Sequence, residues 1–269
     1  KNNILIDQKK SSSHKQLINS DIVPVSGGLI LLLNFIIFSI FEDLTNQVLI
    51  LSVFFIGLLA DFQKLKSPTK RLVLQAIIII LFVKINQVFV RSTGISFLDI
   101  LLNNNIISIL FTTFCLLVLI NGSNFIDGSN LQCSGYYFLV MTTFIYIKSD
   151  FLFFNDFQIL EVLYLYLLIF ILFNFFNKSY LGDGGSYLLS FIAGYMAVKI
   201  QAITVISPYF IVLVLWYPAF ENFFSIIRKA KSLNLSPDKP DLLHLHHLLF
   251  KFLNKKLILS KNISSSLPS

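Results

Sequence analysis

The chain has 269 residues, 55% of them hydrophobic and 13% charged, with 29 Phe, a mean hydropathy of +0.77 and a formal net charge of +7. A water-soluble globule of this composition would have too little polar surface to cover its apolar side chains, so a soluble enzyme is excluded and lipid is the expected solvent. Two cysteines, Cys115 in an apolar run and Cys133 in a polar stretch, exclude a disulfide framework and a Cys-based metal centre.

In chain order, apolar runs predict eight membrane-spanning helices at 28–41, 47–60, 72–90, 106–121, 135–148, 157–176, 184–201 and 208–227. The runs at 72–90 and 157–176 have the roughly 20 residues needed to cross a hydrocarbon layer about 30 Å thick. The shorter ones reach across by tilt or local thinning. The expected fold class is all-α, a polytopic integral membrane helical bundle forming one domain over 1–269, with a cytoplasmic segment at 1–26 and a cytoplasmic His-containing segment and tail at 228–269. The start at Lys1 without Met and the SSSLPS end without a closing apolar run give the expectation of a fragment lacking a helix at either end.

Basic residues set the orientation, because Lys and Arg collect in cytoplasmic loops. With eight spans, 17 of the 21 Lys and Arg residues fall on one side, and the other gathers Glu42, Asp43, Asp99, Asp150 and Asp156. Both termini are expected in the cytoplasm. The positive charge lies beside the spans and carries no motif that reads RNA or DNA, so contact with anionic lipid headgroups explains it and nucleic acid is excluded as a partner.

Four polar islands interrupt the apolar pattern, at 57–75, 121–132, 177–186 and 236–249, and all fall on the cytoplasmic side. Asp61 ends the second span and is followed by Lys64, Lys66, Lys70 and Arg71, which set topology or bind phosphate. Asn121, Asn124 and Asp127 are spaced three apart, on one helical face if the fourth span continues that far; they cap that helix or hold a nucleotide. Asp183 sits among glycines in YLGDGGS, where it caps its own helix or holds a hard cation. His244, His246 and His247 are three of the four histidines; no Cys or Glu nearby completes a zinc set, which favours donors to a pyrophosphate. Glu221 and Lys84 lie within spans and receive no catalytic assignment.

Taken in series, VPVSGGL, NFIDG, YLGDGGS and FENFFSIIRKA with SPDKPDLLHLHHLL resemble the polyprenyl-phosphate N-acetylhexosamine-1-phosphate transferases, the membrane family that includes the WecA and MraY enzymes. The short His element is more similar to the WecA branch. The resemblance implies transfer of a sugar phosphate from a UDP-N-acetylhexosamine to undecaprenyl phosphate or a similar lipid, with release of UMP and use of Mg²⁺, Mn²⁺ being an alternative. It places the chain in a bacterial inner membrane at the first membrane step of an envelope polysaccharide such as lipopolysaccharide O-antigen, and leaves a homodimer open. It assigns Asp61, Asp127 and Asp183 to catalysis, with Asp183 as the metal ligand. Tyr180 would stack on uracil. Asn124, Asp127 and Asn130 would hold the nucleoside and metal-bound diphosphate, Asn121 would also bind substrate, Lys70 would take a lipid or sugar phosphate, and His244, His246 and His247 would line the cytoplasmic lid.

The chain departs from the family pattern in three places. Most relatives carry two adjacent acids where it reads Ala60-Asp61, the glycine expected after Asn130 is Leu131, and the upstream family Asn falls on Asn174 or Asn177. A catalytically silent homologue that binds nucleotide or lipid is the alternative expectation. A transporter ranks last, because the polar groups gather at one membrane edge and not at mid-membrane.

Overall fold

The computed structural model describes residues 24–38, 44–127, 131–149, 158–231 and 252. Among the described residues the chain is helical throughout: α1 (Gly27–Phe38), α2 (Leu44–Asp61), α3 (Pro68–Asn86), α4 (Ser96–Leu102), α5 (Asn105–Ile126), α6 (Gln132–Ser149), α7 (Gln158–Phe175), α8 (Gly182–Ile203), α9 (Pro208–Val214) and α10 (Trp216–Lys231). A helix falls on each of the eight expected segments, α4 is a short addition, and the last segment is divided into α9 and α10. By length and apolarity α2, α5 and α8 qualify as membrane spans, and α9 with α10 adds a fourth if taken as one span bent by 71°. Among the rest, α1 and α7 are apolar but shorter over their described residues, and α3 carries Lys70, Arg71 and Lys84. Exposed Leu33, Ile77, Leu110, Leu139 and Leu172 cover the outside of the bundle, as a surface facing lipid requires.

The core is α8, with 16 of its 22 residues buried; α1, α2, α5 and α6 all pack on it. Small residues at its start allow that crowding. A Cβ at Gly57 of α2 would lie 2.5 Å from the Asp183 carbonyl oxygen, so the two backbones touch where any side chain would hold them apart. Deeper in, Phe82 of α3 meets Phe191 and Tyr195 of α8 edge-on, at 5.0 and 4.9 Å between ring centres.

Local signals explain the helix limits. Ser67 caps α3 by accepting from the Lys70 N–H at 3.4 Å, and Pro68 sits in the first turn, where no backbone donor is needed. Asn104 caps α5 through the N–H groups of Ile106 and Ile107. The break between α9 and α10 follows from Pro218, which cannot donate to the carbonyl four residues back; that carbonyl, of Val214, takes the Tyr136 hydroxyl at 2.7 Å.

The bundle has two distinct ends. At one, α2 and α5 finish while α3 and α8 begin. At the other, Asp99 accepts from the Thr93 N–H at 2.6 Å and its hydroxyl at 2.8 Å, bonds that hold the Asp99 carboxyl below its ordinary 3.8. There Gln201 donates to the Ser92 carbonyl at 2.5 Å and Tyr209 to the Gly94 carbonyl at 2.9 Å. This end ties α8 and α9 to the α3–α4 connection.

Gly57→Ala is expected to cost about 1–3 kcal/mol through overpacking against α8. Gly135→Ala, at a helical glycine with nothing within 4 Å of an added Cβ, is expected to be neutral or slightly stabilising. Thermal unfolding of the two variants in detergent checks the pair; equal melting temperatures would refute the close α2–α8 contact.

Candidate active site

The site is built where α2 ends and α8 begins. Gly182 opens α8 with φ +78°, a left-handed value that favours glycine, and a Cβ there would lie 3.0 Å from Asp61 Oδ2. The N-cap residue, Leu181, offers no side-chain acceptor. Asp61 supplies it from α2: the Asp183 N–H donates to Oδ1 and the Gly184 N–H to Oδ2, both at 3.0 Å. A carboxylate here satisfies two orphan donors and meets the positive end of the helix dipole. The capping role that the sequence allows for Asp183 thus falls to Asp61.

Relieved of capping, the Asp183 carboxylate turns to α3. Arg71 Nη1 donates to Asp183 Oδ2 at 3.2 Å, with the two side chains 21% and 29% exposed. The same nitrogen reaches the Tyr187 hydroxyl at 3.5 Å, and Asn124 Nδ2 on α5 donates to that hydroxyl at 3.1 Å. One turn along α3, Gln75 Oε1 accepts from Asn121 Nδ2 at 3.1 Å. Helices α3, α5 and α8 are therefore joined by polar side chains inside an apolar bundle.

Of the residues singled out from the sequence, Asp61, Asp183, Asn121 and Asn124 come together here. Asp127 follows at the C-cap of α5, its N–H bonded to the Ser123 and Asn124 carbonyls, at the same end of the bundle. Tyr180 is 8% exposed, with its N–H on the Pro24 carbonyl and its carbonyl on the Gly27 N–H. Lys70 is exposed at the start of α3, and its neighbour Arg71 enters the network instead. Asn130, His244, His246 and His247 lie outside the described residues. Sequence reasoning missed Arg71 as a partner of Asp183, and missed Gln75 and Tyr187 altogether. The signal was available: Arg71 and Gln75, like Asp183 and Tyr187, are four apart and share a helix face.

Of the two candidates for the upstream asparagine, Asn174 is buried and staples the neighbouring loop. It accepts from the Leu131 N–H at 2.7 Å and the Ser134 hydroxyl at 3.2 Å, and donates to the Ser179 carbonyl at 2.9 Å. Leu131, standing where glycine was expected, has φ +66°, a conformation costing a non-glycine residue roughly 1–2 kcal/mol.

No group of three or more His, Cys, Asp or Glu side chains converges among the described residues. A metal bound here would rest on Asp183, whose Oδ1 takes no hydrogen bond among the described residues, and would draw its other ligands from substrate and water. That donor set fits Mg²⁺, which keeps several waters and binds through one or two carboxylates plus phosphate oxygens.

The sequence profile of Glycosyl transferase family 4 matches residues 44–201, more than half of the chain, from the start of α2 to two residues short of the end of α8. The chain belongs to this family. Glycosyl transferase family 4 membership makes it a membrane transferase of the phospho-sugar class, in a family that uses nucleotide-sugar and polyprenyl-phosphate substrates. The matched region holds every residue of the network around Asp183. No curated relative matches the chain.

The two carboxylates are expected to separate in their effects. Asp61→Ala removes a two-bond cap and should cost about 2 kcal/mol of stability, whereas Asp183→Ala breaks a partly exposed ion pair and should change stability by less than about 1 kcal/mol. Melting curves in detergent make the comparison, and a larger loss for Asp183→Ala would contradict the capping role of Asp61.

Proposed function

We propose that the chain transfers N-acetylhexosamine 1-phosphate from a UDP-sugar to a polyprenyl phosphate of the undecaprenyl type, releasing UMP at the cytoplasmic face of a bacterial inner membrane. The observation that carries this reading is the Arg71–Asp183 pair between the starts of α3 and α8, flanked by Asn124 and the Asp61 cap. Lys64, Lys66, Lys70 and Lys178 border the same end, in keeping with a cytoplasmic orientation. The short His element, with His244, His246 and His247 as a lid, favours a WecA-like enzyme acting early in O-antigen or related envelope synthesis.

In the reaction, a phosphate oxygen of the lipid attacks the phosphorus that bears the sugar. The bridging P–O bond breaks, and UMP leaves with the bridging oxygen. Two anions must meet, so the first task of the protein is to cancel their repulsion. Arg71 offers a fixed positive charge beside Asp183, and Asn124, Asp127 and Asn130 would hold the nucleoside and diphosphate. Mg²⁺, held by Asp183, would neutralise diphosphate oxygens and the charge developing on the leaving group. Positioning is the second task, because one phosphate arrives from the bilayer and the other from water. Helix starts and ends gathered at one end of a membrane bundle suit a reaction at headgroup level.

A catalytically silent homologue is the second reading. It is favoured by Ala60 in place of an acid and by Asp61 being engaged with the α8 backbone. The detergent-solubilised protein, given undecaprenyl phosphate, Mg²⁺ and a panel of UDP-N-acetylhexosamines, is expected to release UMP, and Asp183→Asn to lower the rate at least about 100-fold. Unimpaired turnover in that variant would sink the role of Asp183; saturable binding without UMP release in the wild type would establish the silent homologue.

A further inference from the structure

The network around Asp183 has more hydrogen to give than it has acceptors. Arginine and the carboxamide nitrogen of asparagine can only donate, so the Tyr187 hydroxyl accepts both the Arg71 bond at 3.5 Å and the Asn124 bond at 3.1 Å. Its own proton then has no acceptor among the described residues, although the side chain is 1% exposed. Gln75 repeats the pattern. Its Oε1 is taken by Asn121, while Nε2 is buried without a partner, on a residue 0% exposed. Arg71 Nε is buried and without a partner as well. The asparagines of α5 thus occupy the acceptor atoms of Tyr187 and Gln75, and what these two side chains present onward is hydrogen.

Burying a donor without an acceptor costs roughly 1–3 kcal/mol, and three such donors occur here on two facing helices. Arg71 and Gln75 lie one turn apart on α3, and Tyr187 of α8 touches Arg71. A negatively charged, acceptor-only group suits donors of this kind, and phosphate is the one that this family brings to the membrane surface. We propose that Arg71 Nε, the Tyr187 hydroxyl and Gln75 Nε2 form a donor subsite for phosphate oxygens, inward of Asp183. Arg71 and Asp183, the partly exposed members of the network, stand at its mouth. The subsite rests on the transferase reading above and adds Tyr187 and Gln75 to the residues that bind substrate. The phosphate belongs to the lipid acceptor or to the diphosphate of the donor, and the two sources are separable.

The test is binding, without turnover. Full-length wild type, Tyr187→Phe and Gln75→Glu in detergent are titrated calorimetrically with a short polyprenyl monophosphate, with UDP-N-acetylglucosamine and with uridine. Tyr187→Phe deletes only the hydroxyl. Gln75→Glu keeps an oxygen for Asn121 but replaces the buried N–H with an anion that repels phosphate; a buried charge also costs stability, so melting temperature and uridine affinity are read beside it to separate a loss of fold from a loss of the subsite. Each variant is expected to bind one phosphate ligand about tenfold or more weakly, with uridine affinity unchanged. Weakening confined to the monophosphate assigns the subsite to the lipid, and weakening confined to the UDP-sugar assigns it to the diphosphate. Wild-type affinity for both phosphates in both variants would leave these hydrogens to a structural water and overturn the subsite alone. A wild type that binds neither phosphate ligand would overturn the transferase reading and the subsite together.

Discussion

A helix that begins at the edge of a membrane must find acceptors for its first N–H groups, and α8 finds them on another helix. Asp61 bonds the Asp183 and Gly184 N–H groups from the last residue of α2, which is possible only because Gly57 lets the α2 backbone lie against α8. With that cap in place Asp183 no longer serves its own helix, and its carboxylate is available to Arg71. Two carboxylates of the same chemical type therefore take different roles according to which backbone each one meets. The interior position of α8, the left-handed turn at Gly182 and the location of the charged pair all depend on this contact.

The asparagines of α5 do comparable work one layer further in. In an apolar bundle a polar side chain is tolerated when its hydrogen bonds are made, and a partly satisfied network is costly. Asn121 also donates to the Leu117 carbonyl of its own helix at 2.8 Å, which fixes the carboxamide that holds Gln75. Glu221, buried on α10, lies within electrostatic reach of Arg228. Among the described residues Arg71, Gln75, Asn121, Asn124 and Tyr187 bond between helices, while exposed Leu, Ile and Phe make up much of the outer surface.

Much of this was legible in the residues. Apolar runs located the helices because hydrocarbon thickness imposes a length, and spacing placed Asn121 and Asn124 on one face of α5 because the helical period imposes a stripe. The division of the last segment was not read, although Pro218 was visible, because a proline fixes where a bend can occur and the acceptor of the freed Val214 carbonyl decides whether it does. The partners of Asp183 were not read either. Lys70 and Arg71 are neighbours of like charge, and only the rotation of α3 against α8 determines which one faces the carboxylate. Leu131 was recognised as a departure from the family pattern; its left-handed backbone, held by Asn174, depends on a contact 43 residues distant that no local pattern announces.

Helix α3 with the connection that follows it is fastened to α8 at both ends, by Arg71 and Asp183 at one and by the Ser92 carbonyl and Gln201 at the other. Between these points Phe82 wedges against two rings of α8. Axial slippage of one rod along the other would have to undo both fastenings at once. The register of the charged pair is consequently held from the far end of the bundle as well as from its own.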